Sequence, residues 1–315
     1  MSTPSEPIHP GSQPAEPILV VGSVALDDIE TPVGSHHDVV GGSANYFGAA
    51  ASLFAPVQLV AVVGEDFPEG HLNVLASRGV DLAGLERVPG RTFRWRGRYG
   101  ADFGDAETLE TQLNVFEHFE PKIPAAFRAA PWVFLGNIHP DLQRGVLEQI
   151  ERPRLVAADT MNFWINQERR ALRRVLSHID LLVINSTEAR LLSEEESLYD
   201  AVDAIRAMGP EMVIIKKGAH GAMLFHPEGT FCAPAVPLRR VVDPTGAGDT
   251  FAAGFMGYVA RAGNRDFATL KHAMLHGIVM ASFAVEGFGQ DQVLGLHRRQ
   301  IDARVAHLTQ MISLG

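Results

Sequence analysis

From Ile18 onward, short runs of β-branched and other apolar residues alternate with longer amphipathic stretches, and this alternation restricts the possible folds more than any other feature of the chain. A short run that is apolar throughout suits a strand buried on both faces, as in a parallel sheet covered by helices. Six such runs stand out, at Ile18–Val21, Val57–Val63, Trp132–Leu135, Leu155–Ala158, 181–184 and Met212–Lys216. Helical patterns lie between and after them, at 43–54, 70–78, 167–177, 186–192, 198–208 and Ala247–Ala262. Within 167–177, Leu172, Val175 and Leu176 share one stripe beside Arg and Glu residues. The pattern predicts an α/β fold with a doubly wound, mostly parallel central sheet and helices on both faces.

A chain of 315 residues makes about two domains at roughly 150 residues each, yet this pattern runs as a single unit over 18–315. Residues 1–17 hold Pro4, Pro7, Pro10, Pro14 and Pro17 among Ser, Glu and Gln, and read as a disordered tail. Segments 29–40 and 91–118 break the alternation. The second contains Thr-Phe-Arg-Trp-Arg-Gly-Arg-Tyr, in which polar and apolar residues take turns as in strands with one solvated face. The two segments read either as a small β-sheet lid or as surface hairpins.

Charge and cysteine content narrow the function. Twenty-seven basic against thirty-seven acidic residues give a net charge of −10, which disfavours nucleic-acid and membrane-surface partners. The lone Cys232 cannot form an intramolecular disulfide, so a reducing cytoplasm is the expected location. In its Gly-Thr-Phe-Cys-Ala-Pro context it reads as a small core or strand residue rather than a nucleophile. No apolar run nears the roughly 20 residues needed to span a bilayer.

The densest chemical signal is Asp243-Pro244-Thr245-Gly246-Ala247-Gly248-Asp249-Thr250-Phe251, running into an apolar helix. Two glycines separated by one small residue permit a tight turn, and N–H groups at a helix start attract an anion. A carboxylate in such a phosphate cradle needs a separate task. Accepting the proton of a hydroxyl that attacks phosphorus is one, and a favourable charge at an ordinary helix start is the other. The chain has no Gly-x-x-x-x-Gly-Lys-Ser/Thr loop and no Gly-x-Gly-x-x-Gly after its first strand. His-Glu-x-x-His and Gly-x-Ser-x-Gly are also absent.

Together with this string, Gly41-Gly42-Ser43-Ala44-Asn45, Asn185-Ser-Thr-Glu188 and Lys217-Gly218-Ala219-His220-Gly221 follow the order and approximate spacing of the ribokinase-like (PfkB) kinases, which the chain resembles from Ile18 onward. The resemblance implies an ATP-dependent kinase of sugars or nucleosides requiring Mg²⁺. It implies Asp249 as catalytic base, with the backbone of Gly246, Ala247 and Gly248 as anion hole. A helix N-terminus beside Asp249 is expected to keep it ionised and a weak base. Asn185 and Glu188 resemble the motif that organises Mg²⁺ and phosphate, Glu188 through water; on residues alone the same pair reads as a capping box. Lys217, Gly218 and Gly221 are expected to flank the nucleotide, and His276 with Gly277 to line the adenine pocket. Asp27 matches the carboxylate that holds acceptor hydroxyls, with Gly42 and Asn45 as the substrate-side glycine motif. Asp243 and Thr245 resemble positions that bind a monovalent cation such as K⁺ in some members.

The sequence departs from the family where sugar kinases often carry Gly-Gly-Lys-Gly-Ala-Asn: here the Lys is absent, which sets aside a simple ribose-like specificity. Asn162, in Asp159-Thr-Met-Asn-Phe-Trp164, joins the expected acceptor residues, and Phe163 and Trp164 read either as nucleobase-stacking rings or as core. The expected partners are a small acceptor molecule and a second copy of the chain across exposed lid edges. Two other readings remain: a catalytically silent nucleotide or sugar sensor on the same fold, and a dehydrogenase lacking the dinucleotide fingerprint.

Overall fold

The computed structural model describes residues 15–313. Thirteen strands form among them: β1 (Ile18–Val21), β2 (Ala25–Thr31), β3 (Gly34–Gly41), β4 (Val57–Val63), β5 (Val80–Arg87), β6 (Phe93–Arg98), β7 (Glu107–Gln112), β8 (Trp132–Leu135), β9 (Leu155–Ala158), β10 (Leu181–Asn185), β11 (Met212–Lys216), β12 (Ala222–His226) and β13 (Gly229–Ala233). The helices are α1 (Ser43–Ala51), α2 (Glu69–Ser77), α3 (Pro140–Leu147), α4 (Asn162–Gln167), α5 (Arg169–Leu176), α6 (Ser186–Ser193), α7 (Leu198–Arg206), α8 (Ala247–Ala262), α9 (Phe267–Ala284), α10 (Asp291–Leu294) and α11 (Arg298–Ile312).

Nine strands build the central sheet in the order β13-β12-β11-β10-β9-β8-β1-β4-β5. Pairing is parallel from β11 through β5, and β12 and β13 close one edge antiparallel. Both faces are covered. Along β1, Ile18 and Val20 enter a core shared with α1, α8, α9 and α11, while Leu19 and Val21 enter one shared with α3, α5, α6 and α7. This is the doubly wound architecture that the unbroken apolar runs call for. The strand order reverses at β1, leaving a crevice at the carboxyl ends between β1 and β8, where α/β folds seat ligands.

A separate four-stranded sheet, β3-β2-β6-β7, accompanies it. It starts earlier than expected, at Ala25, and residues 114–118 form a 3₁₀ turn rather than strand. Asp27 therefore stands on the small sheet and not at the end of β1. Residues 1–14 of the Pro-rich tail lie outside the described residues. Its last part is held: Glu16 ion-pairs with Arg154, and Ala15 packs against the core. Cys232 is on β13 as a strand residue, but exposed rather than in the core.

Candidate active site

Gly246 caps α8 with φ 70, left-handed backbone that glycine adopts without strain. A Cβ there would stand 2.4 Å from the Tyr46 ring, so the turn lies directly on that tyrosine. The Ala247 N–H donates to the Pro244 carbonyl, closing the turn. Ala247 thus shapes the anion hole without lending it a donor. The N–H groups of Gly246 and Gly248 have no backbone acceptor among the described residues and are the free donors of this helix start.

Asp249 follows in the first turn of α8. Burial and the nearby Asp159 carboxylate push its pKa up to about 7, against the lowering pull of Lys216 and of its own backbone N–H. The expectation of a fully ionised weak base is corrected here: dehydration outweighs the helix terminus. Asp159 and Lys216 act on it from the carboxyl ends of β9 and β11, and Asn185 lies in register with Lys216 on β10 between them. Lys216 Nζ lies 3.4 Å from Asp159 Oδ2, and a Cβ on Gly248 would stand 2.8 Å from the same nitrogen. Neither Lys216 nor Asp159 was picked out by the sequence motifs.

Asn185 and Glu188 form a full capping box. Asn185 Oδ1 accepts the Glu188 N–H at 2.8 Å and Glu188 Oε2 accepts the Asn185 N–H at 2.7 Å. The box spends one carboxylate oxygen of Glu188 and leaves the other. Burial raises the Glu188 pKa to about 7, Asp159 adds to the rise, and Lys216 opposes it. Among the described residues no group of three His, Cys, Asp or Glu stands ready to chelate a metal. The donor set therefore fits a hydrated Mg²⁺ carried largely by phosphate oxygens and touched by Glu188, in keeping with that ion's habit of retaining water.

The opposite wall is built by the small sheet and α1. Asp27 is 4% exposed, and its carboxylate accepts no hydrogen bond among the described residues. Burial, with Asp243, Asp249 and Asp28 nearby, raises its pKa well above the usual range. Its Oδ2 lies 1.9 Å from where a Cβ on Gly41 would be, so a side chain there would displace the carboxylate. Asn45 Oδ1 pairs with His71 Nε2 at 2.8 Å, which turns the amide so that a buried Nδ2 is left without an acceptor. The Tyr46 hydroxyl and Asn162 Oδ1 are likewise buried and unpaired. Gly42, at φ 93, caps α1 against the Ser23 carbonyl and fixes the turn rather than offering a side chain.

Asp243 is held by two backbone donors, Thr245 at 2.9 Å and Gly289 at 3.1 Å. The Thr245 hydroxyl donates to the Tyr99 hydroxyl at 3.1 Å, tying the phosphate loop to the end of β6. Lys217, Gly218 and Gly221 form the turn after β11, in which the Lys217 N–H donates to the Gly221 carbonyl. The His276 imidazole stacks on Tyr258 at 4.2 Å, meets Phe54 edge-on and bonds the His272 carbonyl. Tyr258 lies nine residues along α8 from Asp249, about 13 Å at 1.5 Å per residue, so His276 stands well away from the base. Burial there lowers its pKa to about 4. Gly277 admits the Phe251 carbonyl, 2.9 Å from a would-be Cβ, and serves the α8–α9 crossing. Phe163 is 54% exposed, and Trp164 bonds Asn137 at 3.0 Å, so neither is plain core.

A buried base beside free helix-start donors, facing unpaired hydroxyl-binding groups across a crevice, suits an enzyme that brings an alcohol to a phosphoryl group. That defines an α/β phosphotransferase. Residues 18–293 match the pfkB family carbohydrate kinase. The chain belongs to this family and is a carbohydrate or nucleoside kinase. It is 29% identical over 251 residues to the cytidine kinase of Thermococcus kodakarensis, covering 78% of this chain and 88% of that one. Its fold is similar to that of Burkholderia thailandensis nucleoside kinase in complex with inosine, with TM-score 0.73, 21% identity and coverage of 93% and 99%. A fructokinase from Vibrio cholerae bound to fructose, ADP and potassium ion matches with TM-score 0.78, 19% identity and coverage of 94% and 100%. No helix among the described residues is long and apolar enough to cross a membrane.

Proposed function

We propose that the protein is an ATP-dependent kinase that moves the γ-phosphoryl group to the primary hydroxyl of a nucleoside, with Asp249 as general base. The observation that carries this reading is the Asp249 carboxyl raised to about 7 beside the free donors of Gly246 and Gly248. The acceptor oxygen forms its bond to phosphorus as the bond from phosphorus to the β–γ bridging oxygen breaks. The hydroxyl proton passes to Asp249 Oδ, and ADP leaves with the electron pair. The donors of Gly246 and Gly248 hold the charge on the transferring group. Glu188 would hold Mg²⁺, which when bound would supply charge neutralisation at the phosphate oxygens. A sensor would have no use for a base poised near neutrality.

Asp27 and the Asn45 amide offer an acceptor and a donor that suit a vicinal diol, which sugars and nucleosides share. An aromatic side chain beside them favours a nucleoside. Trp95 stands in register with Asp27 on the neighbouring strand, so an indole and the diol-binding carboxylate share one face of the small sheet. Lys217, Gly218 and Gly221 flank the nucleotide, Asn162 adds to the acceptor pocket, and Asp243 with Thr245 forms the seat for K⁺. The small sheet acts as a lid that excludes water, and its open edges suit a homodimer. A cytoplasmic enzyme acting on a small molecule fits these features.

An ADP-coupled screen of nucleosides, pentoses, hexoses and inositols tests the reading. Turnover is expected with one or more nucleosides. Turnover confined to hexoses would remove the nucleoside assignment and keep the kinase.

A further inference from the structure

The approach of Lys216 to the phosphate loop is used by none of the roles above. It ends β11 after Met-Val-Ile-Ile, at the sheet edge that opens onto the crevice. Around the loop stand the carboxylates of Asp159, Glu188 and Asp249, and Lys216 is the cation that acts on all three. A triphosphate brought into such surroundings adds further negative charge.

The geometry distinguishes a working ammonium from a closed structural pair. The contact to Asp159 is 3.4 Å, longer than the roughly 2.7–2.9 Å of a charge-assisted bond at its best. An ammonium has three donors, and among the described residues Asp159 takes one. Lys216 keeps 19% of its side chain exposed while Asp159 keeps 8%, so the lysine stands on the crevice side of the pair. Gly248 clears the way: with any side chain there, a Cβ would stand 2.8 Å from Nζ and 4.0 Å from Asp159 Oδ2. The absent Cβ brings the ammonium against the backbone whose N–H belongs to the anion hole.

Building on the kinase reading, we propose that Lys216 is a further catalytic residue, donating to the γ-phosphoryl group as it transfers, and that Asp159 positions it. Asp159 touches no reacting atom and acts by fixing where the ammonium lies.

The test compares Lys216→Met, Lys216→Arg, Asp159→Asn and the double variant Lys216→Met/Asp159→Asn. For each, kcat with the best acceptor is measured, together with the affinities for ADP alone and for ADP with aluminium fluoride as a mimic of the transferring group. Lys216→Met is expected to lower kcat about 10²–10³-fold, the range for losing one transition-state donor. Its affinity for ADP should stay within about two-fold while the gain from aluminium fluoride disappears, because only the γ position is touched. Lys216→Arg should recover part of both losses, and Asp159→Asn should show the same pattern at about ten-fold. The double variant removes the Lys216–Asp159 pair as a unit and leaves Glu188 and Asp249 to take up protons, so a Tm closer to the parent's than that of Lys216→Met is expected, with the same deficit in kcat. Equal losses of affinity for ADP and for ADP with aluminium fluoride would overturn the assignment. So would a double variant with kcat within about five-fold of the parent. If the parent moves no phosphoryl group from ATP to any acceptor, the kinase reading falls and takes this one with it; if the parent works and the double variant works equally, this one alone falls.

Discussion

The two walls of the crevice treat buried charge in opposite ways. On the phosphate wall, Asp159, Glu188 and Asp249 surround the ammonium of Lys216, and Glu188 also closes a capping box with Asn185. On the acceptor wall, Asp27, the Asn45 amide and the Tyr46 hydroxyl are buried without hydrogen-bond partners among the described residues, and none of the groups that shift Asp27 is a cation. Internal compensation fixes geometry, while uncompensated groups cost free energy until a ligand satisfies them. On the proposed function, the first wall serves the chemistry and the second selects what undergoes it.

The largest expected effect breaks the phosphate wall. Asp249→Asn should lower kcat by about 10³-fold or more while the Kd for ATP stays within a few-fold; a variant retaining a tenth of the parent's kcat would remove the base assignment. Next comes the acceptor wall. Asp27→Asn should reduce kcat/KM for the nucleoside by about 10²–10⁴-fold and leave the ATP affinity unchanged, as read by single-substrate titrations. It should also raise Tm at pH 8. A carboxyl whose folded pKa lies far above its unfolded value destabilises the fold once pH exceeds the unfolded value, and the amide escapes that loss.

The pH dependence sharpens the comparison. With Asp249 at about 7 rather than 3.8, kcat/KM should fall ten-fold per pH unit below about 7. Protonation favours the fold, so stability should be fully present below about pH 4 and decline as pH rises to 7. Activity and Tm measured across that window should run in opposite directions. The smallest effect belongs to neither wall. His276→Gln should leave the KM for ATP within about two-fold and lower Tm by a few degrees, through lost packing on Tyr258 and Phe54; a ten-fold rise in that KM would return His276 to the nucleotide.

The parallel strands were legible because burial on both faces leaves unbroken apolar runs, as in Val57–Val63. The part-exposed edge strands Val80–Arg87 and Gly229–Ala233, and the short antiparallel strand Ala222–His226 between β11 and β13, leave no such mark. In the site, Asp249 and the glycines were legible because a tight turn and a helix start need those residues in sequence. Lys216 and Asp159 were not, since a charged residue ending an apolar strand looks like a boundary. What could have found them is the rule that carboxyl ends of parallel strands face the ligand. Which sheet carries Asp27 was not legible either, because the chain leaves the central sheet at Gly22 and re-enters a strand as early as Ala25.

The contact between the Thr245 and Tyr99 hydroxyls has a kinetic meaning. Thr245 belongs to the loop proposed to hold phosphate, and Tyr99 follows directly on the strand paired with the one carrying Asp27. Seating an acceptor on Asp27 and seating a nucleotide on the loop therefore pull on the two ends of one connection. The two substrates should bind synergistically, each slowing the other's escape, and ATP waiting alone should be spent on water only slowly.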